Sequence, residues 1–98
     1  MVNPKLSKQF DTDKRDIILN LESIQVTLNV CIEQGMLDED AQFYNELIEL
    51  IDEARLVKTY PELEEVITKA KILEEDIDGW LSMNHRETLS ISWPKISK

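Results

Sequence analysis

The sequence predicts an all-α protein: a three-helix bundle with long antiparallel helices at about 13–34, 39–58 and 61–83, followed by an extended C-terminal tail. Three observations lead there. Two Gly and three Pro in 98 residues leave few breaks, which favours a small number of long helices over many short strands. Apolar residues recur at spacings of three and four through most of the chain, the repeat of one helix face. The few break signals, Gly35 and Thr59-Tyr60-Pro61-Glu62, fall where one helix has to end and the next begin.

Residues 1–98 are expected to form a single domain with an N-terminal arm (1–12), a helical body (13–83) and the tail (84–98). At this length folding buries roughly 60 to 65% of the unfolded chain's surface, so stability is marginal and a second subunit would help. In the arm, Asn3-Pro4 has the form of a cap followed by a proline in the first turn. Val2, Leu6 and Phe10 recur every four residues, as in a short amphipathic turn that folds back on the body or frays. Asp11-Thr12-Asp13 then offers acceptors to the first free amides of helix one, with Asp16 placed for its dipole.

Residues 16–33 can be read two ways. Ile24, Val26, Leu28, Val30 and Ile32 alternate with polar residues and Cys31, as in a half-buried strand. Ile17, Leu21, Ile24, Leu28 and Cys31, however, form a helix seam. Gly35 as a left-handed stop and Asp38 as the cap of the next helix decide for the helix. On it, Ile17, Ile18, Leu21, Ile24, Leu28, Cys31 and Ile32 make one broad apolar face, and Leu19, Val26 and Val30 make a narrow stripe on roughly the opposite side. A helix apolar on two sides is normally buried on two sides. A second subunit or the tail should therefore cover the stripe.

Helix two presents Phe43, Leu47, Leu50, Ala54 and Val57, flanked by Tyr44 and Ile51, with Glu46, Glu49, Asp52 and Glu53 outside or on the margin. Thr59 and Glu62 have capping-box spacing, so the chain should turn there in a tight hairpin. Helix three carries Val66, Ala70, Leu73, Ile77 and Trp80, widened by Leu63, Ile67 and Leu81, with Gly79 as a weak point. In the tail, Leu89, Ile91 and Trp93 point one way and Thr88, Ser90 and Ser92 the other. Trp93 gains most by burial, against the bundle or against a partner.

Charge is unevenly spread. The chain carries −9, with −13 over residues 16–83 and +2 at each end. Such a body repels a phosphate backbone, so nucleic acid is not an expected partner. With no apolar run long enough to span a membrane and no leader pattern, the chain is expected to be soluble and cytoplasmic, with no membrane partner. Cys31, the single cysteine, falls on the main seam and should be an inert core residue. His85, the single histidine, has no nucleophile beside it and is expected at the surface.

The one constellation with catalytic character is acidic. Glu46-x-x-Glu49 and Glu75-x-x-Asp78 lie on neighbouring antiparallel helices, and four converging carboxylates could hold Mg²⁺. This pattern is similar to the paired acidic motifs of the all-α nucleoside-triphosphate pyrophosphohydrolases, which would imply a Mg-dependent enzyme with those four residues as ligands. That family opens its first motif with a Glu pair, whereas Asn45 precedes Glu46 here. Twenty acidic residues in the chain also make such spacing common on solvated helix faces. The leading expectation is therefore an acidic interaction or regulatory module without catalytic activity or cofactor. It would bind a protein or itself, as a homodimer, through Leu19, Val26, Val30 and Trp93. A third reading is an acidic inhibitor or immunity-type protein that binds a basic partner.

Overall fold

The computed structural model describes residues 4–84, 89 and 91–94, with side chains from residue 8 onward. The expectations for Val2, the Asn3 cap, the Leu6 side chain, His85, Thr88 and Ser90 lie outside them. Three helices, α1 (Pro4–Glu33), α2 (Gln42–Leu56) and α3 (Tyr60–Met83), pack on one another, and no strand occurs among the described residues. α1 and α3 each lie along α2 and meet each other over a smaller contact. At 1.5 Å per residue α1 is about 45 Å long, most of the longest dimension of the 52 × 21 × 17 Å molecule.

α1 starts at Pro4, not at Asp13. Pro4 is the first helical residue, where a missing N–H costs nothing. Asp11, Thr12 and Asp13 are consequently interior to the helix and cap nothing. Tertiary contacts outweigh their modest helix propensity. Phe10 sits edge-on to Tyr60, with ring centroids 5.1 Å apart at 87°. Asp13 is buried and accepts a 2.8 Å hydrogen bond from the Gln9 amide as well as one from the Tyr60 hydroxyl. Burial, then the charge of Asp13 and that hydrogen bond, raise the Tyr60 phenol above its usual range. Lys14 donates to the Val57 carbonyl (2.8 Å). Val57 is the C-cap of α2, so a cation meets the negative end of that helix dipole.

The other end of α1 matches expectation. Gly35 has φ +73°. Its N–H donates to Ile32 O (3.0 Å) and that of Met36 to Cys31 O (2.9 Å), the paired bonds of a Schellman stop. α2 then starts at Gln42, and its N-cap is Ala41, with no side-chain cap bond. Asp38 therefore does not cap α2. Its backbone carbonyl accepts the Ala41 N–H (3.1 Å) in a turn, which leaves its carboxylate one turn short of the helix.

The hairpin between α2 and α3 forms as expected. The Thr59 hydroxyl accepts the Glu62 N–H (3.4 Å) and donates to Glu62 Oε1 (2.9 Å), which also takes the Lys58 N–H (3.3 Å). Glu53 with Lys69 and Phe43 with Trp80 then meet across the antiparallel pair. The core is the set of residues the periodicity selects. Ile17, Leu21, Ile24, Leu28 and Cys31 of α1 are buried against Leu47, Leu50, Ile51 and Ala54 of α2, Val57 just after it, and Leu63, Val66, Ile67, Ala70, Leu73, Ile77 and Leu81 of α3. Gly79 has open space around it, so it reflects no close packing and simply weakens α3 by about 1 kcal/mol relative to Ala.

The tail runs back over the bundle. The Leu89 N–H donates to Asp78 Oδ1 (2.6 Å), the Asn20 amide to Ser92 O (2.9 Å) and the Trp93 indole N–H to Glu74 Oε1 (3.1 Å). Leu89, Ile91 and Trp93 are partly buried against the core.

Candidate interaction surface

Two surface features follow from this packing: the outer line of α1 and a groove between α2 and α3. On α1, core residues Ile24 and Leu28 are fully buried, whereas Leu19, Val26 and Val30 are 54%, 62% and 41% exposed. At about 100° per residue these three point within about 40° of one another. They form a single apolar line along the helix. Ser23 lies between them and is exposed and small, so it does not interrupt access.

The four residues expected to meet a partner are only partly brought together. Trp93 joins Leu19, where the tail meets α1 around a cleft of about 300 Å³ lined also by Asp16, Asn20, Ser92 and Pro94. The indole is already engaged by Glu74 and half-buried on its own bundle. Val26 and Val30 lie further along α1 and are left uncovered by the described residues. The described tail residues thus flank the apolar line at one end and leave the rest open.

The groove between α2 and α3 has a volume of about 310 Å³. Its floor is the buried Leu50 and Leu73, the exposed Ile72 forms an apolar wall, and its polar lining is Glu46, Glu49, Glu53 and Asp76 with Lys69. Lys69 is held by Glu53 at 3.1 and 3.3 Å, with Glu65 at 3.8 Å. The hydrogen bonds that Lys69 donates to Glu53, and then the charge of that carboxylate, raise the Lys69 ammonium above the usual range, so it stays protonated.

Glu46, Glu49, Glu75 and Asp78 do not converge. Glu46 and Glu49 line the groove, while Glu75 and Asp78 do not. Glu75 is exposed, about 200° around α3 from Leu73, and Asp78 accepts the Leu89 N–H on the side where the tail runs. Among the described residues no three Asp, Glu, His or Cys side chains gather closely enough to hold a metal ion. Sequence reasoning missed Glu53, Lys69 and Asp76 as groove residues. Their signal was present, since Lys69 and Asp76 lie four before and three after Leu73 on the buried seam.

Comparisons of the chain with protein-family models, with curated proteins and with solved structures return no significant match. The likeness of the acidic pairs to the pyrophosphohydrolases thus gains no support from a shared family. Among the described residues, no helix is long and apolar enough to cross a membrane.

Proposed function

We propose that the protein is a small acidic helical interaction module without catalytic activity, which self-associates as a homodimer through the outer line of α1. One observation carries this: Val26 and Val30 stay exposed on a helix whose opposite side is fully buried, and among the described residues the chain's own tail covers neither. An aligned apolar stripe on a soluble helix is more economically explained by a partner than by chance scatter. A cytoplasmic setting belongs to the same reading, supported by the acidic surface and the single buried thiol of Cys31.

The test is size-exclusion chromatography of the wild type beside a Val26→Glu/Val30→Glu variant. The variant elutes as a monomer at concentrations where the wild type dimerises, with unchanged helical content. Equal self-association of the two proteins contradicts the assignment to α1.

A second reading is favoured by the α2–α3 groove, whose apolar floor and carboxylate rim suit a basic amphipathic segment of another protein. A lysine-rich amphipathic helical peptide should then bind. Its affinity should fall several-fold between low and physiological ionic strength, and again on Asp76→Asn. Binding indifferent to salt rules this reading out.

A further inference from the structure

The outer line of α1 carries opposite charges at its two ends. Lys8 and Arg15 precede Leu19 on this line, and Glu33 follows Val30. At about 100° per residue all three point within about 40° of the Leu19 direction. All are exposed, and none has an ion-pair partner among the described residues. Glu22, on the flank, differs in being held by Arg55 at 3.2 Å. The line therefore reads basic, apolar, acidic from one end to the other.

We infer that the occupant of this face is a second copy of the same chain, docked with its α1 antiparallel about a two-fold axis near residue 24. The inference rests on the self-association proposed above and assigns its geometry. Residue 24 is midway between 15 and 33, so Arg15 of each copy faces Glu33 of the other. Leu19 then falls beside Val30 across the interface, and Val26, two residues from the axis, comes level with Glu22 of the other copy, whose charge Arg55 holds at 3.2 Å. A parallel arrangement would set Arg15 against Arg15 and Glu33 against Glu33, and like charges facing each other oppose docking. An antiparallel two-fold makes one surface complementary to itself, as an isologous dimer requires. The described tail residues meet α1 at Asp16, Leu19 and Asn20 and leave Val26 and Val30 exposed to a second helix.

The test uses oxidative cross-linking of two single-cysteine variants, Ser23→Cys and Thr12→Cys, each in a Cys31→Ala background and each first shown by sedimentation to self-associate. Ser23 lies next to the axis, so its cysteine closes a disulfide between copies. The two Thr12 positions stand about 36 Å apart along antiparallel helices, twelve residues on either side of the axis at 1.5 Å each, so that variant stays uncross-linked. Cross-linking through both positions overturns the antiparallel geometry but leaves self-association through α1 standing. A dimer that cross-links through neither overturns the use of this face, and a wild type that stays monomeric overturns self-association itself. Charge reversal gives an independent arm. Arg15→Glu and Glu33→Arg each weaken the dimer by about three- to tenfold, two exposed ion pairs being lost, and the double variant restores it. A double variant no tighter than the singles contradicts the pairing.

Discussion

At the entry to α3 two neighbouring groups share one carboxylate. Glu62 Oε1 receives the Thr59 hydroxyl and the Lys58 N–H, and these hydrogen bonds hold the Glu62 carboxyl below its usual range, Thr59 contributing most. Because the folded-state value is the lower one, the stabilisation is present above the ordinary carboxylate range. It is lost as pH falls through the depressed value. In a carboxyl NMR titration Glu62 should therefore have a lower midpoint in the folded protein than in a peptide spanning residues 58–66. Thr59→Ala should raise that midpoint and cost about 1 kcal/mol of stability, as removal of an N-cap does. A midpoint unchanged by the substitution contradicts this account of the cap. The Thr59 and Glu62 spacing was legible because both partners lie within four residues, and Gly35 was legible for the same reason. Asp13 was not. Its chemistry suits a cap, and what makes it a buried helix-interior residue is Tyr60 in α3, a partner that local pattern cannot reveal.

The alternation of residues 24–32 resolves at the level of the element. Ile24 and Leu28 are fully buried while Val26 and Val30 face out, so the period of two comes from a helix that is apolar on both sides. The seam through Ile17, Leu21, Ile24 and Leu28 was readable because it repeats over several turns. Helix ends were harder, since they depend on what the end touches. α1 extends to Pro4 because Phe10 and Lys14 find Tyr60 and the Val57 carbonyl, and α2 starts late because the Asp38 backbone forms a turn. Phe10→Ala removes a half-buried ring from the α1 side of this junction. It should cost about 1 to 2 kcal/mol, below the full core range because the ring is only partly covered. Hydrogen exchange should accelerate over amides 8–13 while those of 17–28 keep their protection. Uniform acceleration along α1 would show that the N-terminal extension is not a separate unit of stability.

Over the whole molecule, three helices enclose one core, and the acidic residues are distributed by which faces remain outside. Glu46 and Glu49 come to a groove with Glu53 and Asp76, and Glu75 and Asp78 go elsewhere. Paired spacing in the sequence could not show this, because it fixes the separation of two residues on one helix and not the rotation of that helix in the bundle. The same rotation leaves Leu19, Val26 and Val30 outward, with Arg15 and Glu33 at either end of their line. Three side chains per copy are a small apolar payload against an association cost of several kcal/mol, so the dimer is expected to be weak and sensitive to those end charges. Sedimentation equilibrium of the wild-type chain, from about 10 µM to about 1 mM so as to bracket such affinities, tests this most directly. The apparent mass should rise from the 11.4 kDa of one chain toward twice that value. A mass that stays at one chain throughout would contradict self-association through α1.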